Sequence, residues 1–239
     1  MGSCAVLTLF ALLTSFAAPL GAQSTQFERW PELDAYVGLN ESSRFFFQYT
    51  ATRAQDRLNY EDGQFGGFLD VYTMPLVHRR LPEHPDVARD KLLMFRIGYA
   101  YSQTPQGASK PSTDNIPTIE ALARQPLPWG ILLSDRNRGD LRIVNGVFTP
   151  RYRNRLRLER TVKTGRYLLT PYADVEAFYD WRWDIFNRFR FEGGMEWSVA
   201  HFLIVDGYYT RQRDSKSAPE NVNAVGLKLE FYLRNKPSK

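Results

Sequence analysis

Cysteine and histidine are scarce in this sequence of 239 residues. The single cysteine, Cys4, lies in a segment that we expect to be removed, so the mature chain would have no disulfide and no thiol chemistry. The three histidines, His78, His84 and His201, are scattered without the spacing of metal ligands. These scarcities argue against cysteine-based catalysis and a histidine metal centre, and we expect no cofactor.

Long hydrophobic runs are absent beyond the N-terminus. Residues 5–20 form an uncharged apolar run, and Gly21 and Ala22 follow as small residues that suit signal peptidase. We interpret residues 1–22 as a signal peptide and residues 23–239 as one domain. A retained anchor helix is the alternative, although the run is shorter than the roughly 20 residues that span a bilayer. An exported chain without later helical spans is either a soluble β protein or an outer-membrane barrel.

Polar and apolar residues alternate along most of the remaining chain, which is typical of β-strands. Many of these segments reach the roughly 9 to 11 residues that a tilted membrane strand needs. We identify eleven such segments, at 33–40, 44–53, 64–76, 91–101, 116–124, one from 131, 152–162, 167–181, 186–199, 202–213 and 224–233. Single-chain bacterial barrels usually have an even number of strands, so we expect about twelve strands, with ten as the fallback.

Charged residues occupy one face of several predicted strands. One segment carries an arginine at every second position, and the next carries acids that would lie beside them across a hairpin at 163–166. Because these charges compensate one another, the pattern disfavours nucleic-acid binding despite a formal net charge of +5. We expect a charge-lined lumen, either a structural salt-bridge network or a solute-selecting constriction. The candidate residues are Asp135, Arg136, Arg138, Asp140, Arg151, Arg153, Arg155, Arg157, Asp174, Glu176, Arg188, Arg190 and Glu192.

Aromatic residues are abundant, at 14% of the chain. Near strand ends they favour anchoring at a membrane interface over a sugar-stacking platform, and the candidate anchors are Phe45, Phe46, Phe47, Trp181, Trp183, Tyr208 and Tyr209. The last segment, 226–233, resembles the C-terminal signal that barrels present to their insertion machinery. Outer-membrane lipid and that machinery are therefore expected partners.

Several motifs resemble a family of Gram-negative outer-membrane proteins catalogued as domain-of-unknown-function family 2490. The motifs are residues 30–36, 134–138 and 151–155, the acidic segment with Glu176, Tyr179 and Asp180, and Arg96, Gly98 and Tyr99. The resemblance implies an all-β, antiparallel transmembrane β-barrel in the bacterial outer membrane. The family has no established activity, so it supplies neither catalytic residues nor a solute.

Three functional hypotheses remain open. The first is an outer-membrane barrel that serves as a small channel for small solutes or as a structural barrel. The second is a lipid-modifying enzyme, for which Ser134 and the histidines are the available residues, although we assign no catalytic role. The third is a soluble periplasmic β-sandwich that binds a partner through exposed aromatics.

Overall fold

The computed structural model describes residues 25–54, 60–75, 84–104, 111–216 and 220–234. The predicted signal peptide and His78 lie outside these residues. The strands in chain order are β1 Thr25–Asn40, β2 Ser43–Ala54, β3 Tyr60–Pro75, β4 Lys91–Gln103, β5 Thr113–Pro126, β6 Ile131–Asp140, β7 Ile143–Val144, β8 Val147–Phe148, β9 Arg151–Arg160, β10 Val162–Thr164, β11 Tyr167–Asp180, β12 Ile185–Ala200, β13 Leu203–Asp214 and β14 Asn221–Arg234.

Eleven long strands close into a barrel, which confirms the all-β barrel and excludes the sandwich. They follow the order β1, β2, β3, β4, β5, β6, β9, β11, β12, β13 and β14, each antiparallel to its neighbour. The closing pair, β1 with β14, is parallel and runs from Thr25 beside Asn221 to Gly38 beside Arg234. In an odd-numbered meander the first and last strands point the same way, so closure must be parallel. The expectation of an even strand number was therefore wrong, as were the estimates of twelve or ten strands. The eleven segments identified in the sequence are the barrel strands.

The remaining strands are short and lie in connections at the barrel ends. Strands β7 and β8 form a small hairpin between β6 and β9, and β10 pairs with the start of β11. Gly165, with φ of 61°, makes the turn after β10, as the sequence of residues 163–166 predicted. Two single 3-10 turns occur at Val87–Asp90 and Pro128–Gly130. In the part of the chain that is described, no helix has the length and apolar character needed to cross a membrane.

The two faces of the barrel wall have opposite chemistry. Outward side chains are apolar and exposed, with Ile97 61%, Phe65 59% and Ile119 56% exposed. Inward side chains are charged and buried, and Asp70 and Asp206 are both fully buried. Because neighbouring residues on a strand point to opposite faces, each alternating segment supplies one apolar and one polar row. The barrel is therefore apolar outside and charged inside.

Not every predicted anchor aromatic faces outward. Phe45, Phe47 and Tyr209 do, but Phe46 and Tyr208 are buried inside the barrel, so their assignment as anchors was wrong. Phe46 belongs to an inner stack of rings in the order Tyr232, Tyr36, Phe46 and Phe68. Successive ring centroids in this stack are 4.7, 4.7 and 5.4 Å apart. At Gly98, an added Cβ would lie 2.5 Å from a Phe68 ring carbon. This glycine therefore makes room for the stack.

Candidate functional site

Residues 84–90, which precede β4, lie inside the lumen instead of outside the barrel. His84 and Arg89 have side chains that are only 5% and 6% exposed, and Ala88 is fully buried. Ala88 packs in an apolar cluster with Tyr72, Met94 and Leu122. We call residues 84–90 the inward segment. It lies at the end of the barrel where β1, β3, β5 and β14 finish, and we call this the closed end.

Ion pairs and hydrogen bonds tie the inward segment to several walls. The Asp86 carboxylate accepts a hydrogen bond from Arg44 at 2.6 Å. On the other side of the lumen, an Arg89 nitrogen lies 2.9 Å from a Glu159 oxygen. The Arg124 guanidinium donates to the carbonyl of Ala88 at 2.9 Å. Because these bonds reach β2, β5 and β9, the inward segment bridges the lumen.

His84 is held neutral within this segment. Its Nδ1 accepts the backbone N–H of Asp86 at 3.1 Å, so Nε2 carries the proton and lies 3.8 Å from Glu196. Burial, aided by the nearby Arg89 cation, lowers the pKa of His84 to about 4. His84 therefore acts as an uncharged spacer at neutral pH.

A layer of arginine, aspartate and aromatic rings separates the inward segment from the rest of the lumen. Asp70 accepts hydrogen bonds from Arg44 at 2.8 Å and from Arg96 at 2.6 Å. The two guanidinium carbons lie 4.0 Å above the rings of Tyr36 and Phe46 respectively. Cation–π contacts of this kind stabilise desolvated arginines. The layer is the floor of the cavity above it.

Above this floor, the lumen contains a cavity of about 560 Å³. The cavity reaches the opposite end of the barrel, which we call the open end. Its lining there includes Asp62, Asp114 and Arg188, which lie near the first residues of β3, β5 and β12. Twelve of the thirteen predicted lumen residues line it: Arg136, Arg138, Asp140, Arg151, Arg153, Arg155, Arg157, Asp174, Glu176, Arg188, Arg190 and Glu192. The structure therefore gathers residues from β6, β9, β11 and β12 into one site.

The inward-facing arginines of β6, β9 and β12 form what we call the arginine wall. Glu176 is the carboxylate at its centre. Arg153 donates two hydrogen bonds to its carboxylate, at 3.0 and 3.1 Å, and Arg136 donates another. A nitrogen of Arg190 lies 3.7 Å away. Three cations thus share one carboxylate that is 2% exposed. The predicted pairing of the arginine row with the acidic row is confirmed here.

Arg157 shows the reverse arrangement, with one cation among several acids. Its guanidinium lies 2.9 Å from Asp174, 3.3 Å from Glu196 and 3.6 Å from Glu192, and its central carbon sits 3.9 Å above the Tyr172 ring. Multiple partners of this kind satisfy most of the five donors of a guanidinium. Arg157 is therefore a structural centre of the lumen.

Arg155 differs from its neighbours. It lies between Arg136 and Glu176 in the strand register, yet it forms no ion pair with any residue that the structure describes. Its Nε is buried without a hydrogen-bond partner. Glu176 and Glu120 are the carboxylates near Arg155, and they are shared with Arg136, Arg138, Arg153 and Arg190, so positive charge exceeds negative charge around Arg155. This part of the cavity favours an anion.

Acids on β1 face the arginine wall across the lumen. In the barrel order, β6 and β9 lie opposite β1 and β2, so Glu28, Glu32 and Asp34 are placed across the cavity from the arginines. The Arg190 guanidinium reaches across to lie 4.8 Å above the Trp30 ring. Sequence reasoning missed Glu28 and Glu32 because the first strand was predicted to begin only at Leu33. The alternation of Glu28, Trp30 and Glu32 was the available signal.

Asp135 is the predicted lumen residue that the structure contradicts. It lies on the outer face of β6, where the Asn154 side chain donates to it at 2.7 Å. Arg136 and Ser134 on either side of it point inward, and a pleated strand cannot place adjacent residues on one face. The dense polar cluster in the sequence therefore divides between the two faces of the wall.

The residues considered for catalysis or metal binding are not assembled into such a site among the described residues. Ser134 is buried in the lumen, His84 contacts Asp86 and Glu196, and His201 packs against Phe202 in the β12–β13 turn. Three carboxylates, of Glu196, Asp206 and Glu230, lie within 4.8 Å of one another. The ammonium of Lys228 lies 3.2 Å from Asp206 and 2.8 Å from Glu230. The Lys228 ammonium therefore compensates two of these three carboxylates.

Comparison with protein families matches most of the chain. No curated protein matches the sequence. The family model described as "Protein of unknown function (DUF2490)" matches residues 39–223, which is more than half of the chain and runs from the end of β1 into β14. It includes all of the arginine wall. The chain belongs to this family of proteins of unknown function.

Proposed function

We propose that the protein is a bacterial outer-membrane β-barrel whose lumen admits small anionic solutes from the open end and is gated at the closed end. The observation that carries this proposal is the reversed distribution of polarity in a closed barrel. Large apolar side chains stay exposed on the outer wall, where hydrocarbon would cover them, while charges are buried within. Closure also pairs both edges of each of the eleven barrel strands, as a bilayer requires.

The charge of the cavity supports an anionic solute. Eleven cationic side chains and nine carboxylates line it among the described residues. The excess is concentrated around Arg155, which has no ion pair there. Guanidinium groups bind carboxylate and phosphate oxygens through paired hydrogen bonds. A small carboxylate or phosphate would therefore meet a ready partner within the cavity.

The inward segment supports a gated lumen over a permanently open pore. It fills the closed end, and the floor of Arg44, Asp70 and Arg96 lies above it. Passage through the barrel requires this segment to move. The bonds of Arg89 to Glu159 and of Asp86 to Arg44 would have to break for that movement.

The proposal is tested by anion efflux from liposomes that contain the refolded mature protein. The wild-type barrel should release chloride and small carboxylates slowly, and the Asp86→Ala/Arg89→Ala double variant should release them rapidly. Glu41→Ala in the exposed β1–β2 turn is the control and should match the wild type. Faster release of sodium than of chloride from the double variant would contradict the anion preference. Equal, slow release from all three proteins would contradict gating.

A further inference from the structure

A polar cluster lies on the outer wall of the barrel, where the proposed function places lipid. On β6 and β9, the outward residues Asp135, Asn137, Tyr152 and Asn154 bond to one another. Asn154 donates to Asp135 at 2.7 Å and to Asn137 at 3.1 Å, and Tyr152 also donates to Asn137. We call these four residues the outer polar cluster.

The position of the cluster distinguishes it from other outward polar residues. Arg53, Arg160 and Arg213 are exposed at or beside the ends of their strands, where long side chains reach the water interface. Asp135 and Asn154 lie in the middle of β6 and β9. A carboxylate and amides at mid-depth on a lipid-facing wall are unfavourable unless something polar covers them.

The residues beside the cluster on the outer wall have small side chains. Ala121 lies across from Asn137, and Ala177 across from Asn154, while Gly139 follows on β6. Bulkier side chains, including those of Phe95, Ile97 and Ile119, stand along one side of a groove of about 870 Å³ that includes Ala121, Asn137 and Gly139. Small residues beside polar ones allow close approach between membrane proteins, because backbones meet and side-chain hydrogen bonds form away from water.

The unused hydrogen-bonding atoms of the cluster are complementary to themselves. Asn137 has a free amide donor, whereas Asp135 and Asn154 each have a side-chain oxygen that accepts no bond from the described residues. In a two-fold interface, residue i of one copy meets residue j of the other, and the reverse contact follows by symmetry. The Asn137 amide of each copy can then donate to Asp135 of the other.

We propose that the outer polar cluster and the adjoining groove form a lateral interface with a second copy of this chain. The inference rests on the proposed membrane location, since in water the cluster would simply be hydrated. Within the bilayer, pairing satisfies the free donors and acceptors, and the groove receives bulky side chains from the facing copy. Strands β5, β6, β9 and β11 supply this interface.

Cross-linking in native membranes tests the proposal. Leu156→Cys, beside Asp135 on the outer wall, is compared with Tyr49→Cys on the opposite wall; each is made in a chain with Cys4→Ser. Both residues are exposed to a similar extent, at 43% and 45%. After oxidation, Leu156→Cys should give a dimer band of twice the monomer mass that Tyr49→Cys lacks. Equal bands from both variants, or a cross-linked product of another mass, would overturn a second copy as the occupant.

Asn137→Leu and Asn154→Leu provide an independent readout. In a dimer they remove interfacial hydrogen bonds, so the cross-link of Leu156→Cys should be lost and the mass in mild detergent should fall to that of the monomer. On a bare lipid-facing wall the same changes would leave the cross-linking of Leu156→Cys and the mass in mild detergent unaltered, and either result would contradict the interface. Membrane fractionation of the same cells separates the two hypotheses. Protein in the outer membrane without a dimer refutes the interface alone, whereas protein in the soluble fraction refutes both.

Discussion

The two ends of the lumen use the same residue type for different purposes. At the closed end, Arg44 and Arg89 each hold a carboxylate from another segment, and the inward segment fills the space between the walls. In the cavity that reaches the open end, Arg155 has no ion pair among the described residues, and Arg136, Arg153 and Arg190 share Glu176. Paired arginines close the barrel, whereas surplus arginines leave a charge for a solute.

The number of arginines in a lumen therefore does not decide whether they serve structure or solute binding. What matters is the ratio of donors to carboxylates at each point. A buried ion pair is compensated by its partner, while a buried cation without one retains an unmet demand for an anion. Substitutions that change this ratio should therefore alter stability or ion selectivity.

Glu176→Ala should have the largest effect. It leaves Arg136, Arg153 and Arg190 without their shared carboxylate, and breaking a buried ion pair costs about 3 to 5 kcal/mol. The free energy of unfolding, measured by urea titration in liposomes, should fall by at least this amount. Asp62→Asn, at the rim of the cavity, is the control, because the Asp62 side chain accepts a hydrogen bond from Ser102 and forms no ion pair with a described residue. An unchanged unfolding midpoint for Glu176→Ala would contradict its central role.

Arg157→Ala and Arg155→Ala should differ in their effect on the free energy of unfolding, although both residues lie on the inward face of β9. The first leaves Asp174, Glu192 and Glu196 uncompensated and should cost about 3 to 5 kcal/mol of unfolding free energy. The second removes a cation that repels its neighbours, so it should be neutral or stabilising. With the gate opened by Asp86→Ala/Arg89→Ala, Arg155→Ala should nonetheless lower chloride preference in a reversal-potential measurement. Equal destabilisation by both substitutions would refute the distinction between paired and surplus arginines.

Acidification should loosen the closed end through His84. The pKa of His84 is lowered from 6.5 to about 4 in the closed state, so protonation favours a released segment. The closed state is fully stable above pH 6.5, loses stability as the pH falls to about 4, and by linkage loses roughly 3 kcal/mol in total. The charged groups around His84 are Asp86, Arg89, Glu159, Glu196 and Glu230.

Anion efflux at decreasing pH measures this effect. The wild-type rate should rise between pH 6.5 and 4, and His84→Asn should lose that rise while keeping an oxygen that accepts the Asp86 N–H. Identical pH profiles for the two proteins would contradict the role of His84.

The sequence predicted the wall of the barrel better than its interior. Alternation placed Arg153 and Glu176 on inward faces because a strand has only two faces, and the hairpin at residues 163–166 fixed their register. The fate of residues 84–90 was not predictable, since a polar segment with prolines has the same composition whether it faces water or folds into a charged lumen. Asp135 was assigned to the lumen because a charged residue was assumed to face inward. Asp135 and Arg136 are adjacent on β6, however, and therefore point to opposite faces.

A charge swap between Arg89 and Glu159, measured by single-channel conductance, tests whether the inward segment closes the lumen. Arg89 and Glu159 form the pair that fastens the inward segment to β9, at 2.9 Å. In a planar bilayer the wild type should be silent, Arg89→Glu should show discrete steps because two carboxylates then repel, and Arg89→Glu/Glu159→Arg should be silent again. Steps of equal size in all three proteins would contradict closure of the lumen by the inward segment.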